Sequence, residues 1–367
     1  MKKVIIIAGG GTGGHIYPAL AIGEAIGKKD SRFDIHYVGS KDGLESKIIG
    51  RESYPLHFIK GGKLNMSGRW FDKIKTLLLI PVGLLQSSFL ILKLRPAFVL
   101  GVGGYASGPF VLMAALLRCK TALWEPNAYP GLANRILAGF VDQCFVVFEK
   151  AKSKLKNEKV IQCGMPIRRE PPVLSKDKVK DPNYFRILHF GGSQGSRIIG
   201  NVLNQMVLKY PEVKEKFKFV HQTGAVDFAD FKRKYAGLEE SVEVVDFIYD
   251  MPKYYQWADL VISRGGASTL TEIAAYSLPS IVVPLPAADG HQEHNALELS
   301  NAGAGMMVLQ KDLNPDSLFE KINQIFNDKN KQESFSRNVL KFYQPHSSER
   351  LAEIIINEAS QSLRGKA

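Results

Sequence analysis

The sequence predicts an α/β protein built from two doubly wound, Rossmann-like domains with parallel sheets. Three observations carry this prediction. Short, uncharged apolar runs alternate with longer mixed segments along the 367 residues, as expected of strands buried on both faces between covering helices. Many of these runs end in turns rich in glycine or proline. The two halves also echo each other: VIIIAGGGTGG is answered by ILHFGGSQGS, VLGVGGYASG (99–108) by LVISRGGAST (260–269), and ALWEPNAYPG (122–131) by IVVPLPAADG (281–290).

In chain order, strands are expected at 4–8, 34–40, 97–103, 120–126 and 142–148, with helices between them. The text then turns irregular. GMPIRREPPVLSKDKVKDPNY carries four prolines and many charges, which places a hinge or boundary near 162–183. Strands resume at 186–190, 216–223, 242–247, 260–264, 280–285 and 305–310. The domains are therefore expected at 1–163 and 164–346, with a last helical segment at 347–367. In open α/β sheets ligands bind beyond the C-terminal strand ends, so two such edges facing each other would make an interdomain cleft.

Composition narrows the class. Apolar residues make up 45% of the chain, a globular value. MKKVIIIAGGG does not read as a signal peptide, because the apolar run is short and passes into glycines. Cys119, Cys144 and Cys163 are scattered and odd in number, which points to a reducing cytoplasm rather than a disulfide or metal framework. The formal net charge is +12, and residues 1–165 hold 23 Lys and Arg against 11 Asp and Glu, while the remainder is balanced. A basic first half attracts anions such as a phosphorylated substrate or an acidic lipid surface. Within it, TLLLIPVGLLQSSFLIL runs 17 residues without a charge beside Arg69, Trp70, Phe71, Lys73 and Lys75. That suits an interfacial patch or a covering helix better than a membrane span.

The glycine turns carry the chemistry. Gly9, Gly11 and Gly14 fit G-x-G-x-x-G, in which backbone N–H groups approach a diphosphate at a helix N-terminus. The nicotinamide version needs an acid at the end of the second strand. Here that strand ends Tyr37-Val38-Gly39-Ser40-Lys41, and Asp42 comes late. No Gly-Lys-Ser/Thr closes a P-loop. His15 opens the first helix at the ligand edge, and a ring with an ordinary pKa near 6.5 can take a proton near neutrality. In the second half, Gly191 to Gly195 with Ser193 could cradle another phosphate, with Arg197 just beyond. Arg168 on the hinge could neutralise a leaving phosphate. Gly265 and Gly266 precede a helix whose Glu272 could accept from a sugar hydroxyl. Asp289, His291, Gln292, His294 and Asn295 form a polar cluster suited to sugar hydroxyls and only loosely like a metal set. One anionic ligand per half, no cysteine nucleophile and no G-x-S-x-G elbow fit a nucleotide-sugar donor and a phosphorylated acceptor.

The runs GGGTGGHIYPALAI (9–22), GVGGYASGP (101–109), EPNAYPGLANR (125–135), GGSQGS (191–196), SRGGASTLTE (263–272) and PLPAADGHQEHNA (284–296) together resemble the MurG family of UDP-N-acetylglucosamine transferases, glycosyltransferase family 28, over the full length. The resemblance implies a GT-B fold and inverting transfer of N-acetylglucosamine from UDP to the C4 hydroxyl of the muramoyl sugar in undecaprenyl-diphospho-muramoyl-pentapeptide (lipid I). It implies that Gly10, Gly11, Gly103, Gly104 and Tyr105 lie in loops for the acceptor diphosphate, with His15 as base and Asn127 near the acceptor. Thr12, Gly13, Gly14, Asn127, Arg168, Ser193, Ile248, Glu272 and Gln292 would touch UDP-N-acetylglucosamine: Ser193 and Arg168 at the diphosphate, the Ile248 backbone at uracil, Glu272 at ribose and Gln292 at the sugar. No cofactor is obligatory and no resident metal is expected, a divalent cation being a stimulant at most. The segment from Trp70 to Leu85 would dock on anionic lipid, making the protein peripheral at the cytoplasmic membrane face. No nucleic acid is implied. The helix near 347–363 would cross back to the first domain.

Three departures stand out. Trp124-Glu125-Pro126-Asn127 replaces the usual His-Glu-Gln-Asn, which removes a polar donor and an amide from that loop. Met165 stands where asparagine is common, and Ser196 where alanine is usual. The alternatives are a transferase of the same fold with a non-polyprenyl acceptor, and a UDP-sugar 2-epimerase, which should carry further carboxylates. RNA binding would use the charge but leaves the glycine turns without a role.

Overall fold

A computed structural model describes residues 2–41, 43–60, 70–167, 181, 183–287 and 289–364, with the backbone alone over 70–79 and 362–364. The chain forms two compact units, Met1–Glu170 with Gln344–Ala367, and Pro171–Tyr343.

The first unit holds a seven-stranded parallel sheet, ordered β3-β2-β1-β4-β5-β6-β7. Its strands are β1 (Lys3–Gly9), β2 (Phe33–Gly39), β3 (Leu56–Phe58), β4 (Phe98–Gly103), β5 (Thr121–Glu125), β6 (Gln143–Val146) and β7 (Val160–Gln162). The helices α1 (Gly13–Lys29), α2 (Glu45–Ile48), α3 (Trp70–Leu94), α4 (Ser107–Leu116) and α5 (Leu132–Leu137) connect them. Central strands are buried along almost their whole length, so both sheet faces are covered. On one face Ile6, Val99 and Leu123 pack with Phe110 of α4 and Ile91 of α3. Helix α14 (Ser347–Arg364) packs on α1 and buries Leu351, Ile355 and Ala359.

The second unit repeats the plan with six parallel strands, ordered β10-β9-β8-β11-β12-β13. These are β8 (Phe185–Phe190), β9 (Phe217–Gln222), β10 (Val242–Val245), β11 (Leu260–Ser263), β12 (Ser280–Val282) and β13 (Met306–Met307). Its helices are α6 (Arg197–Lys209), α7 (Glu212–Lys216), α8 (Phe228–Lys234), α9 (Met251–Trp257), α10 (Ala267–Ala275), α11 (His291–Asn301), α12 (Pro315–Phe326) and α13 (Lys329–Val339). Ile187, Phe219 and Ile262 pack against Leu203 of α6 and Ile322 of α12. The echoed sequence pairs become structural equivalents: β1, β4 and β5 hold the places in their sheet that β8, β11 and β12 hold in theirs.

Two short edge strands, β3 and β7, escape the sequence reading. Each has three residues and one neighbour, too few for a periodicity to register. The long apolar run becomes α3, which continues through Pro81. Gly83, Ser87 and Ile91 lie on its buried face. Leu85, Phe89 and Leu92, also at helical spacing, are 72%, 69% and 63% exposed, and Val82 beside them is exposed too. Among the described residues no helix is long and apolar enough to cross a membrane.

Side by side in the second sheet, His189 of β8 and His221 of β9 are fully buried, with ring centroids 4.8 Å apart. His189 Nδ1 donates to the Ile262 carbonyl at 3.0 Å. Its Nε2 and both ring nitrogens of His221 have no hydrogen-bond partner. Burial pushes His189 down to about 4 and His221 well below its ordinary 6.5. Both therefore fold neutral, and stability is full above pH 6.5. It falls between pH 6.5 and about 4, where the unfolded chain takes up protons that the folded chain refuses, by about 1.4 kcal/mol per pH unit for each ring. Urea unfolding between pH 6.5 and 5 should show this slope, and His221→Phe should remove about half of it; an unchanged slope would clear the pair of the effect.

Candidate active site

In each sheet the strand order reverses between two neighbours, β1 and β4 in the first and β8 and β11 in the second. Connections leave those neighbours in opposite directions, which opens a crevice at their C-terminal ends. All four strands run into glycine turns.

In the first unit, the β1–β4 ladder shifts register between Ala8 and Gly9, which sets Gly9 opposite Gly103. Gly10 N–H then donates to the Gly103 carbonyl at 3.1 Å. Gly103 has φ +95°, and a Cβ there would lie 2.8 Å from the His15 ring. The structure thus brings His15 and the Gly103–Gly104 turn together at the sheet edge. Thr12 occupies the position before α1 without a side-chain capping hydrogen bond, Gly13 opens the helix and Gly14 follows, with Thr12 and Gly14 exposed. Tyr105 is exposed beside the second turn.

Two buried carboxylates hold these loops, and the sequence reading assigned a role to neither. Glu45, 1% exposed, accepts from Gly11 N–H at 2.8 Å and from both the N–H and hydroxyl of Ser40 at 2.7 Å. Burial alone would raise its pKa; the Gly11 and Ser40 donors outweigh burial and hold it below the usual value. Glu125 ends β5 and accepts from Asn127 N–H at 2.9 Å, Asn127 Nδ2 at 3.1 Å, Gly131 N–H at 3.0 Å and Asn134 Nδ2 at 2.9 Å. Asn127 is therefore positioned by its own loop. Trp124 is wholly buried in β5, so this departure changes the core beneath the loop rather than its surface. Cys144 and Cys163 are buried, and burial pushes both thiols up to about 12, which makes them inert.

In the second unit, Gly195 has φ +71° and a Cβ there would meet the Thr223 carbonyl at 1.8 Å. Only glycine lets the loop after β8 approach the loop after β9 this closely. Ser193 is exposed at its tip, and Ser196 caps α6. Arg264, at the end of β11, is buried and joins three loops. Its Nη2 donates to Ser196 Oγ at 2.9 Å and Gln310 Oε1 at 2.8 Å, and its Nη1 to the Val283 and Pro284 carbonyls at 3.1 and 3.3 Å. Ser196, which stands where alanine is usual, is thus a partner of this guanidinium. The SRGG run was legible, but nothing in its spacing marks an inward arginine.

Gln292 Oε1 accepts from Gly265 N–H at 3.1 Å and Leu285 N–H at 3.0 Å, which leaves its NH₂ as the end for other partners. Asn295 is buried and donates to the Gly265 carbonyl at 3.1 Å. Glu272 accepts from the Tyr255 hydroxyl at 2.8 Å, and its burial raises its pKa against that hydrogen bond. The Ile248 side chain is buried after β10. Arg197 is ion-paired with Asp227, and His291 Nε2 lies 3.1 Å from Asp289. Among the described residues no three His, Cys, Asp or Glu side chains are grouped to hold a metal. Arg168 and Asp42 lie outside the described residues, as do the side chains of Trp70 to Leu79.

Residues 5–146 match the glycosyltransferase family 28 N-terminal domain and residues 186–351 the family 28 C-terminal domain. A UDP-N-acetylglucosamine–N-acetylmuramyl-(pentapeptide) pyrophosphoryl-undecaprenol N-acetylglucosamine transferase of Bdellovibrio bacteriovorus is 51% identical over 97% of this chain and 99% of its own. The enzyme of the same name from Myxococcus xanthus is 35% identical over 97% and 93%. The crystal structure of Acinetobacter baumannii MurG superposes with a TM-score of 0.78 at 24% identity, covering 97% of this chain and 99% of that one, which supports the two-sheet GT-B fold. With both domains matched in order and such identity over nearly its whole length, the chain belongs to glycosyltransferase family 28, as a member of the MurG family.

Proposed function

We infer that this chain transfers N-acetylglucosamine from UDP-N-acetylglucosamine to the C4 hydroxyl of the muramoyl sugar of lipid I, producing lipid II for peptidoglycan. The observation that carries this reading is the 51% identity to the Bdellovibrio bacteriovorus transferase across 97% of the chain. A transferase for a non-polyprenyl acceptor would have no use for the exposed apolar stripe of α3.

The reaction inverts the anomeric centre, so it is a single displacement. The acceptor C4 oxygen attacks C1 of N-acetylglucosamine, the bond from C1 to the UDP oxygen breaks, and UDP leaves with that electron pair. The C4 hydroxyl proton passes to His15, whose ring lies on the Gly103 turn. The acceptor diphosphate is received by the Gly10–Gly14 and Gly103–Gly104 loops, through backbone donors other than those of Gly10 and Gly11, which hold the loop itself, beside Tyr105 and Asn127. In the second unit, Ser193 and the amides around it receive the donor diphosphate, with Arg168 as a further cation. Such preformed donors stabilise charge without reorganising during the reaction. The backbone at Ile248 reads uracil, Glu272 binds ribose, and the NH₂ end of Gln292 binds the sugar. Nothing in these steps requires a cofactor; a divalent cation acts as a stimulant at most.

The acceptor's lipid sets the location. Val82, Leu85, Phe89 and Leu92 line one exposed side of α3, and α4, which packs on α3, ends in exposed Leu116 and Leu117. Lys93, Arg95, Arg118 and Lys120 follow these ends in sequence. Apolar side chains with flanking cations suit shallow insertion into an anionic leaflet, so the protein sits peripherally on the cytoplasmic face of the cell membrane.

Purified protein incubated with UDP-N-acetylglucosamine and lipid I in detergent should release UDP and form lipid II; no product would overturn the assignment. His15→Ala should lower kcat by about 10²–10⁴ with donor affinity retained, and unchanged turnover would remove His15 as base. Glu45→Gln should raise KM for lipid I about tenfold and leave KM for the donor alone, because the lost ionic acceptor frees the Gly11 turn. Equal rises in both constants would count against that local role.

A further inference from the structure

Tyr255 has no part in the reading above, yet it touches a residue that does. Its hydroxyl donates to Glu272 Oε2 at 2.8 Å. The ring is 1% exposed. It stacks on Tyr276 at 5.0 Å with an interplanar angle of 27°, and meets Phe190 edge-on at 6.0 Å. Phe190 is the last residue of β8, directly before the Gly191 turn, and Tyr276 directly follows α10, which carries Glu272. The phenol is thus clamped between the two elements that form the donor-side edge of this sheet, and its hydroxyl has little freedom to leave the carboxylate.

We propose that Tyr255 is a positioning residue for the donor nucleotide, holding one oxygen of Glu272 so that the other faces the ribose hydroxyls. This rests on the reading of Glu272 as the ribose ligand. An ionised carboxylate only accepts, and two ribose hydroxyls only need acceptors when each donates. A carboxylate free to rotate would lose entropy on binding that a tethered one has already lost. Electrostatics act the same way. Burial pushes the Glu272 carboxyl up, towards a protonated form that is a poorer ribose acceptor, and the Tyr255 hydrogen bond opposes this. The titratable groups around the pair are Tyr255 from α9 and Tyr276 after α10, with Asp250 at the start of α9 acting on Tyr276. Burial raises both phenols, so they remain neutral and Tyr255 remains a donor.

The test compares binding of UDP and 2′,3′-dideoxy-UDP by calorimetry, in the full chain and in two variants. The unchanged protein should prefer UDP. Tyr255→Phe should weaken UDP about tenfold and leave dideoxy-UDP as before. It should also raise donor KM with little change in kcat, and make UDP binding fall more steeply from pH 8 to pH 6. Unchanged dideoxy-UDP binding doubles as proof that the variant is folded. If Glu272→Ala keeps the preference for UDP, the ribose reading itself fails and takes the proposal with it. If Glu272→Ala abolishes the preference while Tyr255→Phe retains it in full, the proposal alone fails. Equal weakening of both nucleotides by Tyr255→Phe would reduce the tyrosine to a packing residue and overturn the proposal as well.

Discussion

The structure depends on the reversal of strand order at β1/β4 and β8/β11. At those two places neighbouring parallel strands send their connections to opposite faces, so a crevice opens at the strand ends, the place where ligands bind in open α/β sheets. Helices begin there as well, and their first N–H groups have no partner inside the helix. The same reversal thus sets where, on the function proposed above, each sheet receives its anion. It also explains why glycine gathers there. Side chains at Gly103 or Gly195 would collide with His15 or with the loop after β9.

Loops rich in glycine are entropically costly to hold still, and this chain holds them with buried polar side chains. Glu45 ties the turn after β1 to the end of β2, Glu125 ties its own loop to α5, and Arg264 ties the β8, β11 and β12 connections together. Gln292 does the same for Gly265 and Leu285. Each makes several hydrogen bonds, as a buried charge or amide must to offset its lost hydration. The result is two loop-lined sheet edges whose geometry is held by the protein's own hydrogen bonds, and the function proposed above reads them as anion sites of the kind that electrostatic catalysis requires.

Much of this was legible in the sequence, for physical reasons that differ by element. The central strands announce themselves because a parallel strand covered on both faces must be apolar throughout. The glycine turns do so because no other residue reaches those backbone angles at small cost. The clamps were not legible. Glu45 looks like a first-turn helix acid, and Glu125 like a polar residue entering a loop; only the fold shows that each carboxylate turns inward to meet N–H groups distant in sequence or scattered along a loop. Trp124 was legible both as a departure and, inside the strand expected at 120–126, as a buried residue; what the sequence analysis charged to the loop, the loss of a polar donor there, belongs to the core beneath it. Arg197, which the sequence places near a phosphate loop, is taken up by Asp227.

The uneven charge fits the same division of labour. The second half is electrically balanced, and the ligand read for it is a small, water-soluble nucleotide sugar that diffuses to its pocket. The first half carries the whole surplus of +12 and the exposed stripe of α3, and the ligand read for it is anchored in a bilayer. A cation near an anionic surface contributes roughly 1 kcal/mol and loses reach beyond a Debye length, so charge alone gives a weak, salt-sensitive hold. Four apolar side chains on one helix add a contribution that salt does not screen. On the function proposed above, the two together would hold a protein with no spanning helix among its described residues at the surface where its acceptor is anchored, by a contact weak enough to be reversible.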